Sequence, residues 1–159
     1  MDQYSRRIIG FGTHQGPVDG VALCSMFNHA ISGSDPPRLL SSDNDPLFRF
    51  RRWQANLRIL EVEEIKSVPY LPMSHPFIER LIGTIRREYL DHAIFWNSLD
   101  LDRKLGEFKN YYNNHRTHSA LSGQSPTNYC RPTTKEIANI SSYGWRPHCR
   151  GLFHTPIPG

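Results

Sequence analysis

The chain has 159 residues, 38% of them hydrophobic, with 12 Pro and 11 Gly, a length and composition that fit one ordinary domain with a modest core and many loops. No uninterrupted apolar run exceeds four residues and the first twenty contain no apolar block, which excludes a membrane span and a secretory signal; three widely spaced Cys exclude a disulfide scaffold and predict a reducing, cytoplasmic setting. The formal charge of +4 permits nucleic-acid binding without requiring it. In chain order, turn chemistry at Asp2-Gln3-Tyr4-Ser5 precedes a strand expected over residues 7–12. A hairpin needs a strand on both sides, and nothing strand-like stands before this turn in the sequence, so the expectation is a domain that starts in mid-motif.

Gly16-Pro17 opens a helix whose stripe is Val18, Val21, Ala22, Phe27, Ala30 and Ile31, and Gly33 closes it. Residues 38–42 read as a short strand ending at Asp43. Pro46 starts a second helix, with Leu47, Phe50, Trp53 and Leu57 on one side and Arg49, Arg51, Arg52 and Arg58 spread around it. Those arginines suit a DNA-facing surface and a solubilising face equally well. Residues 60–65 mix strand alternation with a break at the paired Glu63 and Glu64 and read as a third short strand. Residues 68–72, with two Pro, form an extended linker.

Ser74 is the expected N-cap of a helix carrying Phe77, Ile78, Leu81, Ile82, Ile85 and Tyr89 to about Asp91. Ser98 caps a last long helix with Leu101, Leu105, Phe108 and Tyr112 at i, i+4, i+7, i+11. From Ser122 the chain reads as irregular, which divides it into a core over 1–126 and a tail over 127–159. The aromatic and basic run from Trp145 to Phe153 suits docking of that tail onto the core. Cys130, His148 and Cys149 lack zinc spacing, and no phosphate-binding Gly-rich loop is present.

Two carboxylates stand out by position. Asp43 ends a strand, where loops of α/β sheets converge on ligands, and is otherwise a turn residue. Glu79 lies in the first turn of the Ser74 helix, where the helix dipole alone would favour it. Thirty-five residues separate them. With this spacing, Leu40-Ser41-Ser42-Asp43-Asn44-Asp45 and Ser74-His75-Pro76-Phe77-Ile78-Glu79-Arg80-Leu81 resemble the second and third members of the Asp-Asp-Glu triad of insertion-sequence transposases and retroviral integrases. Residues 2–10 and the segment Tyr112-Asn113-Asn114-His115-Arg116-Thr117-His118-Ser119-Ala120-Leu121 are similar to further motifs of the same integrase catalytic core, in the same order, over roughly residues 2–126.

The resemblance implies a ribonuclease-H-like α/β fold and metal-dependent cleavage and joining of DNA strands. It also implies Asp43 and Glu79 as catalytic ligands of Mg²⁺ or Mn²⁺, hard ions that take carboxylate oxygens and act in pairs about 3.5–4 Å apart. Arg80, Arg86, Arg87, Asn113 and Arg116 become candidate DNA contacts, while Gly83 replaces a position that is often basic. His118 reads as a packing or capping residue.

The departure is at the start. The family's first Asp sits on a strand well upstream of the Asp2 turn, and Asp2 itself matches the turn rather than the triad. The expectation is a core lacking its first strand and most of its second, with exposed sheet edge, and inactive by itself for want of one aspartate. The competing expectation is a non-catalytic DNA-binding or dimerising fragment that modulates a full-length transposase. Expected partners are DNA, a second copy of the chain or a full-length transposase, and no membrane.

Overall fold

A computed structural model describes residues 1–67, 76–130 and 143–158. The expected linker over 68–72, the Ser74 cap and the first part of the tail lie outside the described residues, wholly or in part. Contacts group the chain into two units, one of Ile9–Ser98 and one of Met1–Ile8 with Leu99–Gly159.

In the Ile9–Ser98 unit, helix α1 spans Gly20–Ile31. It starts three residues after Pro17 because Asp19 is the cap: its carboxylate accepts the Val21 and Ala22 amides at 3.0 and 2.8 Å. The expected strand over 7–12 is not part of any sheet among the described residues. Its glycines show what it does instead: a Cβ on Gly10 would stand 1.8 Å from the Ala30 carbonyl oxygen, and one on Gly12 2.7 Å from Met26 Cβ. The segment lies against the α1 backbone, an approach that only glycine permits.

Strand β1 is Leu39–Ser42 and β2 is Glu63–Lys66. They pair in parallel, Leu39 with Glu63 through Ser42 with Lys66. The helix expected from Pro46 is interrupted. Asp45 caps a 3-10 turn over Pro46–Arg49, Phe50 is extended, and α2 runs over Arg51–Ile59. Strand β2 begins later than residue 60 because α2 ends in a Schellman motif: Val62 donates to the Leu57 carbonyl at 2.9 Å and Glu61 to that of Arg58 at 3.2 Å, with Glu61 at φ 56°. Trp53, Leu57 and Val62 form the buried core of this unit, joined by Leu23, Cys24, Phe27, Leu40, Phe48 and Leu60. Trp53, 1% exposed, meets Phe27 edge-on at 5.1 Å and Phe48 at 5.6 Å. Asn28 and Asn56 tie α1 to α2 by reciprocal amide bonds of 3.1 and 2.9 Å.

Helix α3 spans Pro76–Glu88 and buries Leu81, Thr84 and Ile85, with Tyr89 buried just beyond its end. The 3.6-residue period leaves Glu79, Arg80, Ile82, Arg86 and Arg87 exposed.

In the other unit, α4 spans Ser98–Asn114 and buries Leu105, Phe108 and Tyr112, as its apolar series predicts. A short α5 covers Pro126–Cys130. The tail is not irregular where it is described: β3, Tyr143–His148, and β4, Phe153–Pro158, form an antiparallel hairpin. It docks on α4 as the aromatic run predicts, with Phe153 stacked on Tyr111 at 4.2 Å and His148 beside His115 at 4.1 Å. No described helix is long and apolar enough to cross a membrane.

Candidate metal-ligating carboxylates and their basic helix

Asp43 is the first residue beyond β1, and its neighbours on both sides are held while it stays exposed. On its N-terminal side Ser42 is buried in the strand end, and its carbonyl accepts the Ser67 amide at 2.9 Å. On its C-terminal side Asn44 donates to the Ser67 carbonyl at 3.0 Å, stitching the loop to the end of β2. Asp43 Oδ1 accepts the Asp45 amide at 3.0 Å, and Asp45 in turn accepts that of Leu47 at 2.8 Å. These Asx turns shape the loop, with Asp43 exposed at its start.

Behind this loop is a carboxylate that sequence reasoning passed over. Glu64 was legible only as half of a Glu pair interrupting a strand. Its side chain is 8% exposed and takes bonds from four side chains. Oε1 accepts from Ser42 Oγ at 2.7 Å, Lys66 Nζ at 2.8 Å and Trp53 Nε1 at 3.1 Å, and Oε2 from Gln54 Nε2 at 2.8 Å. Burial pushes its pKa up, but the bonds from Lys66, Ser42, Gln54 and Trp53 outweigh it and hold the carboxyl down at about 2. Lys66 also reaches Ser42 Oγ at 3.0 Å and lies 5.0 Å from the Phe48 ring centroid. Strand alternation carries the signal: with Glu63 facing solvent, Glu64 must face the other side of β2.

Glu79 is the fourth residue of α3, exposed in its first turn. Arg86 and Arg87 are exposed in the last turn, and Arg80 follows Glu79 directly. Arg87 folds back along its own helix, its guanidinium 3.3 Å from where a Cβ on Gly83 would stand. The glycine at 83 thus makes room for a cation from the next turn.

The other expected DNA contacts are placed differently. Asn113 is buried at 5% exposure, and its amide clasps the backbone of Ile8, accepting from the N–H and donating to the carbonyl, both at 2.9 Å. One of its amide N–H groups and its amide oxygen are thus engaged with a buried chain segment. Arg116 is half-buried, 5.6 Å from the Tyr112 ring centroid and 3.2 Å from His118 Nδ1. His118 packs edge-on against Tyr112 at 4.7 Å.

Asp2 accepts the amides of Tyr4 and Ser5 and the Ser5 hydroxyl. Those bonds lower its pKa against the opposing effect of burial. It serves the N-terminal turn, in keeping with its match to the turn motif. Asp43 and Glu79 are both exposed oxygen donors of the kind Mg²⁺ accepts. No three His, Cys, Asp or Glu gather into a cation site among the described residues.

Residues 60–126 match a family model described as an integrase core domain. Among curated relatives, the chain is 23% identical over 139 residues to the insertion element IS476 uncharacterized 39.2 kDa protein of Xanthomonas euvesicatoria, covering 87% of this chain and 40% of the relative. It is 23% identical over 131 residues to the transposase for insertion sequence element IS904 of Lactococcus lactis, covering 81% and 52%. It is 29% identical over 90 residues to the putative transposase InsD for insertion element IS2E of Escherichia coli, covering 57% and 41%. The chain thus spans about half of these relatives or less.

Among solved structures, a simian T-cell lymphotropic virus intasome in complex with a PP2A regulatory subunit matches 84% of this chain and 50% of its own, with TM-score 0.61 and 18% identity. The catalytic core domain of BIV integrase matches 72% of each chain, with TM-score 0.53 and 18% identity. The fold is the ribonuclease-H-like one of those cores, with short sheets. In its fold and in residues 60–126, this chain resembles the integrase catalytic core shared by insertion-sequence transposases and retroviral integrases.

Proposed function

We propose that the chain is part of a transposase catalytic core that acts in DNA transposition, with Asp43 and Glu79 as two carboxylate ligands of Mg²⁺ or Mn²⁺. The observation that carries this reading is the pair of exposed carboxylates in the Ile9–Ser98 unit, one at the end of a parallel strand and one in the first turn of the helix that bears Arg80, Arg86 and Arg87. Bound there, the ion would polarise a phosphodiester and activate a nucleophile. The chain's own part is to hold the two carboxylates and to draw the DNA backbone to α3 through its arginines. Such contacts give affinity and salt dependence rather than sequence reading. Arg116, engaged with Tyr112 and His118, is a secondary candidate for the same role.

On this reading the residues supply two of the triad's three carboxylates, and the chain is expected to bind DNA but not to cut it unaided. A nicking and strand-transfer assay with purified chain, a mobile-element end and Mg²⁺ tests this: no turnover is expected, and turnover abolished by Asp43→Ala would overturn it. A second reading rests on β1, which has β2 as its one ladder neighbour among the described residues. Its open side favours pairing with a second copy or a full-length transposase, modulating that enzyme without catalysis. Sedimentation of the chain with and without such a transposase separates the two.

A further inference from the structure

Beside the loop that carries Asp43, the Glu64 carboxylate takes bonds from four side chains. Trp53, Leu57 and Val62 already provide an apolar core between α2 and β2. An ionised carboxylate placed beside that core costs free energy unless its oxygens are fully bonded, and here both are. What the arrangement adds is a fixed point. One oxygen gathers the Ser42 hydroxyl, the Lys66 ammonium and the Trp53 indole N–H, drawing together the last residue of β1, the last of β2 and the first turn of α2. Ser42 is covalently next to Asp43, and its hydroxyl also accepts from Lys66. Ser67, next to Lys66, holds the loop from the other side through its bonds to the Ser42 carbonyl and the Asn44 amide.

We infer that Glu64 is the positioning residue for Asp43: through Ser42 and Lys66 it fixes the strand end from which Asp43 presents its carboxylate to a divalent cation. This rests on the reading of Asp43 as a metal ligand. Glu64 does not touch the cation. It acts as the outer partners of metal ligands do, by orienting the ligand, and loss of such partners typically weakens metal affinity by about tenfold or more.

The test is a Mn²⁺ titration of the full chain followed by the paramagnetic broadening of the Asp43, Asn44 and Asp45 amide signals. Ser42→Ala removes the link to the loop without changing charge and is expected to raise the half-saturating Mn²⁺ concentration about tenfold. Glu64→Gln should do the same. Lys66→Met separates positioning from simple charge: deleting a cation near the site would tighten Mn²⁺ binding if only charge mattered, whereas loss of the clamp weakens it. Asp43→Asn should abolish saturable broadening altogether.

If Asp43→Asn leaves the broadening in place, or the wild-type chain shows none, the ligand reading itself fails. If Asp43→Asn removes it while Ser42→Ala leaves half-saturation unchanged, the positioning role is overturned and the ligand reading stands. Tighter binding in Lys66→Met also overturns the positioning role. Should Glu64→Gln fail to fold, Ser42→Ala decides alone.

Discussion

At the residue scale, two buried polar groups define the behaviour of their surroundings. Glu64 has a folded pKa of about 2 against an ordinary 4.5. Its contribution to stability is therefore fully present above pH ~4.5 and is lost as the pH falls from there toward about 2; it amounts to about 3 kcal/mol at most. Urea unfolding at pH 7, 4 and 2.5 should show a smaller acid loss in Glu64→Gln than in the wild type, with the depressed Asp2 carboxyl contributing a remaining loss of the same sign. Asn113 is the second group. Its amide satisfies both backbone groups of buried Ile8, so Asn113→Ala leaves an N–H and a carbonyl without that partner and should cost about 2–4 kcal/mol in chemical unfolding. The salt dependence of DNA binding should not change. Neither role is visible in the residues alone. Asn113 sits in a motif that reads as DNA-facing, and only the return of Ile8 to α4, 105 positions away, shows what its amide serves.

At the element scale, helices were legible where one apolar stripe ran unbroken, as in α3 and α4, and were blurred where local backbone geometry intervened. The helix expected from Pro46 breaks because Phe50 is extended at φ −61°, ψ 135°, a choice its hydrophobic side chain gives no sign of. Strand β2 starts late because Glu61 takes the left-handed position after α2, where glycine is the usual residue. Glu61→Gly should accordingly stabilise the chain by about 1 kcal/mol in thermal or urea unfolding. The C-terminal hairpin escaped the sequence because Pro147, Pro156 and Pro158 argue against strands. A two-stranded hairpin has an open edge on each strand, and proline is tolerated there.

The docking of that hairpin carries a pH dependence. Burial lowers the pKa of both His115 and His148, reinforced by His148 and Arg146 for His115 and by Arg146 and His154 for His148. Glu107 and Arg150 form an ion pair between α4 and the hairpin loop. The neutral imidazoles favour the docked state, so docking is strongest above pH ~6.5 and weakens as the pH falls below it. The protection factors of the β3 and β4 amides in hydrogen exchange should fall between pH 7 and 5, and less so in His148→Phe.

At the scale of the whole molecule, composition left the +4 charge without an address, and α3 supplies part of one: three exposed arginines on the helix that bears Glu79. Replacing Arg86 and Arg87 together by Ala should weaken DNA binding at low salt and reduce the slope of log K against log[salt] by up to about 2. The acidic pair stands out in the sequence because its spacing and its neighbours form a motif, and its proposed role rests on that resemblance. Glu64 was not, because its role depends on a strand register that brings it to Ser42.

The proposal that Asp43 and Glu79 are ligands of a divalent cation, taken here as one shared ion, is tested most directly by Mn²⁺ relaxation of their two backbone amides in the full chain. With one shared ion, both signals broaden with a single half-saturation and Asp43→Asn removes both effects. Broadening at the two sites with different half-saturations, or survival of the Glu79 effect in Asp43→Asn, would contradict it.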